Sequence, residues 1–424
     1  MGIAEATRAA PRLLERIQRD EGYRGIGAFT ALVANDLLLA SFALIEPSVK
    51  TVAILSGFPC LLDHNPPTET DGVGGAFAIA RACAALGKKA LVLTDECCAE
   101  VFIAAAAGCG IRGSLLSMEA FPPAAAFGES EAERLSEIAD AVDAVVAIER
   151  PGPASDGRCY TMRGRDMSGV AAPLHLLLEL LAGGNAADSD GAEIEERRRV
   201  VTVGIGDGGN ELGMGKVHEH VLASTVPLAE KVACVVPTQH LIVSSVSNWG
   251  GYALAACMAV AVSPNAAAAA AASPASPSAE ESAAMSGASS DAGGGEAAAL
   301  SVEAACAAAL TAPPTEPAAA AAFAFGSAAE AVEAMLVSSE AETALLERAV
   351  AAGARDGVTG RAEATVDGMP LAASLAVLTD LRTRALAAAV GSPAAGPAVA
   401  ITIPSLVALA AAAAAAGSGN AAKD

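Results

Sequence analysis

The sequence predicts an α/β protein with a mostly parallel sheet that is covered by helices on both faces. Two observations support this prediction: short apolar segments alternate with helical stretches, and the apolar segments are hydrophobic at successive positions instead of at every second one. Strands of a parallel sheet are buried on both faces, so their sequences show such continuous apolar runs. Ligands of open parallel sheets bind beyond the carboxyl ends of the strands, so we expect functional residues in the loops that follow them.

Four strands are predicted, each a short aliphatic or β-branched run bounded mostly by polar residues or glycine. In chain order they cover residues 52–55, 90–93, 144–148 and 200–203. The predicted helices cover residues 75–86, 96–107, 129–141 and 171–181. This alternation of strand and helix is typical of a parallel sheet built from repeated strand-helix units.

Two regions are too poor in large apolar side chains to form a packed core. Residues 263–325 and 387–424 consist mainly of Ala, Ser, Pro, Gly and Glu. Such segments bury too little apolar area to offset the entropy lost on ordering. We therefore predict a disordered low-complexity insertion at 263–325 and a disordered low-complexity tail at 387–424. The remaining residues, 1–262 and 326–386, fit one large α/β domain or two smaller ones.

The charge balance excludes several classes of partner. The 424 residues include 26 Lys and Arg against 48 Asp and Glu, so the formal net charge is −22. Nucleic acids and anionic membrane surfaces are bound by clustered Lys and Arg, so neither is an expected partner. The longest apolar run, residues 406–416, is shorter than the roughly 20 residues that a membrane-spanning helix needs. We expect a soluble intracellular protein.

Acidic residues follow two of the predicted strands. Glu69 and Asp71 lie in the segment Thr68-Glu69-Thr70-Asp71-Gly72, which leads into a predicted helix. Asp95 comes directly after the strand at 90–93. Carboxylates in these positions either cap the following helix or bind Mg²⁺ or Mn²⁺, and the sequence leaves both interpretations open.

The most informative segment is the glycine-rich run at 204–216, which directly follows the strand at 200–203. It contains the polar residues Asp207, Asn210, Glu211 and Lys216 among six glycines. The run satisfies G-x-G-x-x-G, but later glycines would break the helix that a dinucleotide-binding fingerprint opens, so we reject that interpretation. Bare glycine backbone beside these polar groups favours the approach of a small polar ligand or a metal ion.

Two further segments offer ligand-binding side chains. Arg163 and Arg165 carry guanidinium groups suited to a carboxylate or phosphate, unless they pair internally with nearby acids. Ser247 and Asn248 begin an apolar helix and are candidates to bind substrate, with Trp249 as a candidate wall of the pocket. A cap and a packed tryptophan are the alternative. The segment at 356–368 is interpreted as turns between short strands.

These segments, in this order, resemble the C-terminal domain of the D-glutamate cyclase family. The matching residues are Glu69–Gly72, Ile148–Arg150, Asp156-Gly157, Met162–Gly164, Gly206–Lys216, Val246–Leu254, Asp356–Gly360 and Val366–Gly368. The resemblance implies that residues 1–262 and 326–386 form one α/β catalytic domain. It also implies conversion of D-glutamate to 5-oxo-D-proline with loss of water, and a mitochondrial setting in animal members. The family pattern favours Asp and Gly where this chain has Gln239 and Ser245.

The expected function is therefore a hydro-lyase acting on a small anionic substrate, in the mitochondrial matrix or the cytoplasm. Asp207 or Glu211 would be the base, with Asn210 beside them, and Lys216, Arg163 or a metal ion would be the electrophilic group. One alternative is a phosphohydrolase dependent on manganese or magnesium. In both cases the candidate metal ligands are Glu69, Asp71, Asp95, Asp207 and Glu211. A second alternative is a non-catalytic protein that binds a small anion.

Overall fold

A six-stranded parallel sheet forms the centre of the computed structural model, which describes residues 2–21, 25–111, 113–183, 200–264 and 325–390. The strands are β1 Thr51–Leu55, β2 Lys89–Asp95, β3 Leu116–Phe121, β4 Ala144–Ile148, β5 Val201–Gly206 and β6 His240–Val243. Their order in the sheet is β3-β2-β1-β4-β5-β6, and every neighbouring pair is parallel. This is the order of doubly wound sheets, in which the chain reverses its direction of winding between β1 and β4.

Helices connect and cover these strands. In chain order they are α1 Ile3–Ile17, α2 Gly27–Thr30, α3 Asp36–Ile45, α4 Val73–Ala85, α5 Ala99–Ala106, α6 Glu129–Ala141, α7 His175–Gly183, α8 His218–Leu222, α9 Ala229–Val232, α10 Ser247–Val262, α11 Ala328–Met335, α12 Ser339–Ala351 and α13 Leu371–Ala389. Short 3₁₀ turns occupy Ala31–Val33, Glu96–Cys98, Gly113–Leu115 and Gly215–Val217.

The core lies on both faces of the sheet. Val52 and Ile54 of β1 pack into one apolar cluster, whereas Ala53 and Leu55 pack into another. The first cluster includes residues of α1, α4, α10 and α13, and the second includes residues of α6 and α7. Successive side chains of a strand point to opposite faces, so a strand between two helix layers is apolar throughout. The predicted α/β class with helices on both faces is confirmed.

Helix α10 lies at the centre of the first layer. Every residue from Ser247 to Ala261 is buried, which explains why its sequence is apolar on all sides. Gly251 of α10 faces Gly75 of α4, and a Cβ atom placed on Gly251 would lie 2.7 Å from Gly75 Cα. The two glycines therefore allow the backbones of α4 and α10 to approach closely.

The structure corrects several predicted boundaries. The strands β3 and β6 were not predicted, because β3 is a half-buried edge strand and β6 has only four residues. The strand β5 continues through Gly206, although its glycines resemble a loop. Most of the predicted insertion and tail lies outside the described residues, but α13 extends to Ala389 and so includes the first residues of the predicted tail.

Within the residues that the structure describes, no single helix is both long and apolar enough to cross a bilayer. One bent pair, Gly27–Val33 with Asp36–Ile45, meets the requirement by length and composition.

Candidate active site

A cavity of about 500 Å³ opens at the carboxyl ends of β1, β4 and β5. This is the point where the winding of the sheet reverses, the position at which doubly wound folds form their ligand crevice. The lining includes Phe58 after β1, Glu149 after β4 and Asp207 after β5. It also includes residues 357–360 and Asp367, from the segment between α12 and α13. Four segments that are distant in the chain thus meet in one pocket.

Carboxylates form two overlapping groups at this pocket. One oxygen each of Asp71, Asp207 and Asp367 lie within 4.8 Å of one another, and the same is true of Glu149, Asp207 and Glu211. Asp207 belongs to both groups. The residues of both groups are buried, apart from Asp367, which is half-buried. Such clusters have the donor atoms that a divalent cation prefers.

Glu149 occupies the strand end closest to the reversal point. Its backbone φ is 40°, in the left-handed region that residues other than glycine rarely adopt. The hydroxyl of Ser247 donates a hydrogen bond of 2.5 Å to Glu149 Oε2. Burial, reinforced by the nearby Asp71 and Glu211 carboxyls, raises the pKa of Glu149 well above its usual value. Glu149 therefore stays protonated to a higher pH than an ordinary glutamate, and in that form it is able to donate a proton.

Asp71 links the loop after β1 to the start of α10. Its carboxylate accepts hydrogen bonds from the backbone N–H groups of Ser247, at 2.9 Å, and Asn248, at 2.8 Å. These are N–H groups that the first turn of a helix leaves without helical partners. Burial and the Asp367 carboxyl raise the pKa of Asp71 to about 7, against the opposing effect of these hydrogen bonds. Asp71 thus caps α10 and also belongs to the cluster of carboxylates with Asp207 and Asp367.

The glycine-rich loop after β5 is organised around the carboxylate of Glu211. This carboxylate accepts hydrogen bonds of 2.7 Å from the N–H groups of Gly208 and Gly209, and one of 3.3 Å from that of Asp207. Asn210 Nδ2 donates to the carbonyl of Tyr160. Because the backbone N–H groups of the loop bind the carboxylate of Glu211, this residue fixes the positions of Asp207 and Asn210 at the cavity.

Arginines lie at the mouth of the cavity. Arg163 Nη2 donates to the carbonyl oxygen of Val358, at 3.1 Å. Arg165 forms a two-point ion pair with Asp63, with N–O distances of 2.6 and 2.9 Å. Both side chains are exposed. The acids of the floor and the guanidinium groups of the rim therefore give the cavity separate regions of negative and positive charge.

Three predicted site residues lie away from both the cavity and its group of acids. Asp95 is buried in a two-point ion pair with Arg150, at 2.5 and 2.8 Å. Lys216 Nζ binds Asp36 and the carbonyl of Gln239, which precedes β6 and therefore lies at the opposite edge of the sheet. Trp249 is fully buried, and its Nε1 donates to Ser374 of α13. The structure therefore does not bring Asp95 and Lys216 to the acids, and Trp249 is a core residue instead of a pocket wall.

The other predicted residues have mixed placements. Glu69 and Asn210 line the cavity, as do both arginines. Ser247 and Asn248 are buried behind it, where they contact Glu149 and Asp71. Gln239, which replaces the acid favoured by the family, is exposed, and its side chain accepts a hydrogen bond from the N–H of Thr202. Gln239 and Ser245 do not line the cavity.

Sequence reasoning missed the roles of Glu149 and Asp367. Glu149 directly follows a predicted strand, so the rule that identified Asp95 also points to Glu149. Asp367 lies in a turn with φ of 60°, and it is joined to the pocket because Thr70 and Glu69 pair with the backbone of residues 355 and 365. The sequence of a turn does not indicate which distant segment its backbone will pair with.

Fold and site together define a doubly wound α/β protein with a carboxylate-lined cavity at the reversal point of its sheet. The family model described as D-glutamate cyclase-like, C-terminal, matches residues 13–382. This chain therefore belongs to that family. The mitochondrial D-glutamate cyclase of Homo sapiens is 32% identical over 261 residues, which cover 58% of this chain. The match covers only 38% of the human protein.

Proposed function

We propose that the cavity binds D-glutamate and converts it to 5-oxo-D-proline with release of water. The observation that carries this proposal is the position of Glu149, a buried carboxyl group with a raised pKa beside Asp207 and Glu211. Membership of the D-glutamate cyclase-like family supports the choice of substrate. The name of the human relative supports the same reaction and a mitochondrial location, which imaging of a tagged chain would test.

The charges of the cavity suit the charges of this substrate. D-Glutamate carries one ammonium group and two carboxylates. The acids of the floor attract the ammonium group, and the guanidinium group of Arg163 at the rim can donate to a carboxylate. Arg165 adds positive charge at the rim but already forms a two-point pair with Asp63. Holding the substrate between floor and rim restricts it to conformations in which the amine and the γ-carboxyl are close, which lowers the entropic part of the barrier.

The reaction transfers two protons from nitrogen to oxygen. The amine nitrogen forms a bond to the γ-carboxyl carbon, and one carbon–oxygen bond of that carboxyl breaks. The ammonium loses two protons in total, and the departing oxygen gains two and leaves as water. In this proposal one carboxylate oxygen of Asp207 accepts the first proton from nitrogen, and Glu149 donates one proton to the departing oxygen. The second proton passes from nitrogen to the same oxygen, which leaves as water. A proton then returns from Asp207 to Glu149, whose carboxyl oxygens lie within 4.8 Å of each other, and this restores both groups. Glu211 positions Asp207 through the loop backbone.

A divalent cation, Mn²⁺ or Mg²⁺, fits the donors of this cavity. The side chains are carboxylates, and oxygen ligands suit both ions. Asp71, Asp207 and Asp367 would hold the ion, and Glu69 also lines the cavity. When bound, it would offset the negative charge of the floor and polarise the carboxyl group that is attacked.

The decisive experiment is incubation of the purified chain with D-glutamate, followed by chiral chromatography of 5-oxoproline. The assay is run with Mn²⁺, with Mg²⁺ and with a chelator, and L-glutamate serves as the comparison substrate. We expect 5-oxo-D-proline to form with an added ion. Absence of product under all three conditions would reject the proposal.

A second candidate function is metal-dependent hydrolysis of a phosphate ester. This function is favoured by the two clusters of three carboxylates that have Asp207 in common, because such an arrangement is suited to more than one ion. Turnover of an aryl phosphate with Mn²⁺, in the absence of cyclase activity, would favour this function. A thermal shift with D-glutamate and no turnover of either substrate would instead favour a binding protein.

A further inference from the structure

Arg150 follows Glu149 in the chain, and its side chain lies in the protein interior behind the cavity. Its guanidinium group is fully buried against the Asp95 carboxylate. Besides the two bonds to Asp95, Nη1 donates to the carbonyl of Gly57 at 3.2 Å and Nη2 donates to that of Ala172 at 2.6 Å. The side chain therefore joins the ends of β1, β2 and β4 to the segment that precedes α7.

The backbone beside Arg150 is joined to the glycine-rich loop. The carbonyl of Arg150 accepts a hydrogen bond of 2.8 Å from the N–H of Leu212, and the N–H of Gly152 donates to the carbonyl of Asn210 at 2.9 Å. Pro151 and Glu211 form an antiparallel bridge between these bonds. One residue thus connects three strand ends through its side chain and the Asp207–Glu211 loop through its backbone.

Glu149 needs such support because its conformation is unfavourable for a side chain with a Cβ atom. Its φ of 40° lies in the left-handed region, and such residues persist only where the surrounding structure holds them. The space around it is also tight, since a Cβ atom on Gly72 would lie 2.7 Å from Glu149 Cβ. The side chain of Glu149 points towards Ser247, whereas that of Arg150 points towards Asp95.

We infer that the Arg150–Asp95 pair is a positioning device, which holds the Glu149 carboxyl in register with Asp207 for the reaction proposed above. This inference rests on the proposed function for its catalytic consequence. The position of Glu149 itself is measurable whether or not that reaction occurs.

The test replaces both charges by apolar residues of similar size, in the variant R150M/D95L. Removing both partners leaves no unpaired buried charge, so we expect the variant to fold. R150K is the second variant, because it keeps the charge but cannot form the two-point geometry. The matched control is R134M/E119L, which removes another two-point pair, at 2.7 and 2.9 Å, between α6 and β3. Circular dichroism establishes folding in each case.

We expect kcat for 5-oxoproline formation to fall about 100-fold in R150M/D95L and in R150K, with KM changed less than about threefold. The control keeps the kcat of the unmodified chain. Unchanged kcat in a folded R150M/D95L or R150K variant would overturn the inference, as would an equal loss in the control.

A crystal structure of R150M/D95L separates this inference from the proposed function, because it requires no turnover. We expect the hydrogen bond from Ser247 Oγ to Glu149 Oε2, 2.5 Å in the unmodified chain, to lengthen or break, and the φ angle of Glu149 to leave the left-handed region. Unchanged geometry of Glu149 in this variant would overturn the inference. If the unmodified chain makes no 5-oxoproline, this comparison of structures alone decides the matter.

Discussion

Among the described residues, burial is the main cause of a raised pKa at three carboxyl groups, whose surroundings differ. Glu149 and Asp71 lie at the cavity, where other carboxyls add to the effect of burial. Glu342 of α12 lies elsewhere, buried against the hydroxyl of Tyr252, and burial raises its pKa to about 7. The same desolvation therefore acts at a candidate catalytic group and at a glutamate that does not line the cavity.

The substitution E149Q tests the catalytic role directly. Glutamine fills the same space but cannot donate the proton that the departing oxygen needs, so we expect kcat to fall by about 10²- to 10⁴-fold. In the unmodified chain, kcat should fall as pH rises through the raised pKa of Glu149, because the required form is the protonated one. The matched control is E342Q, which alters a buried glutamate outside the cavity and should retain kcat. Full activity in E149Q would contradict the assignment.

Glu342 makes stability depend on pH. Its pKa is about 7 in the folded state and about 4.5 in the unfolded chain, so the folded state binds more protons between these values. The contribution is fully present below about pH 4.5 and is lost as pH rises through 7. We expect it to lower the free energy of unfolding by on the order of 3 kcal/mol over that window.

Urea unfolding at about pH 5 and about pH 8 measures this effect. In E342Q the side chain is neutral at both values, so the difference between the two free energies should shrink by the Glu342 contribution. An undiminished difference in E342Q would assign the pH dependence to other groups, Asp71 first among them.

Close packing between α4 and α10 positions the polar groups behind the cavity. Asp71 lies just before α4, and its carboxylate caps α10. Asn248 of α10 accepts a hydrogen bond of 2.6 Å from the N–H of Gly75 in α4. The two helices can share these polar contacts because Gly75 and Gly251 have no side chains between them.

The substitution G251A tests this packing. The new methyl group would meet the backbone of α4 at 2.7 Å, so the helices must separate. We expect a loss of about 1 to 3 kcal/mol in the free energy of unfolding, measured by urea denaturation. The control is G169A, since a Cβ atom at Gly169 meets nothing within 4 Å and should change stability little. Equal stability of G251A and the unmodified chain would contradict the importance of close approach.

The candidate cation site joins segments from the whole length of the fold. Asp71 precedes α4, Asp207 follows β5, and Asp367 lies beyond α12. An ion held by all three would bind the folded chain but not the unfolded one, so it should stabilise the fold. At an ion concentration 100 times the dissociation constant, the gain would be about 2.7 kcal/mol.

Thermal unfolding with and without Mn²⁺ tests this prediction. We expect the ion to raise Tm in the unmodified chain and in E363Q, a control at an exposed acid near Asp367. The variant D367N should lose most of the rise. A rise of the same size in D367N would show that the ion binds elsewhere.

Features that depend on local sequence were predictable. The four central strands are continuous apolar runs. They are buried on both faces of the sheet, and this is why their sequences allowed them to be predicted. The rule that places ligands at the carboxyl ends of strands found Glu69, Asp71 and Asp207. It equally selected Asp95, since the rule locates an edge of the sheet but does not say which partner each acid meets.

Residues whose role depends on a distant partner were not predictable. Asp95 is held by Arg150, Lys216 by Asp36, and Trp249 by Ser374, and these partners are separated by 55, 180 and 125 positions. Nothing in the local sequence of a charged or aromatic residue states what it will contact across such a distance. Glu149 and Asp367 belong to the site for the same reason, because folding brings them into contact with residues that are distant in the chain.

Two levels of information are therefore distinct in this protein. Apolar periodicity and glycine placement specify the strands, the helices and the edge of the sheet where a ligand binds, because they act over a few residues. Long-range packing selects which of the acids at that edge form one pocket and which become ion pairs or caps, because desolvation and charge pairing depend on neighbours that only the folded chain brings together.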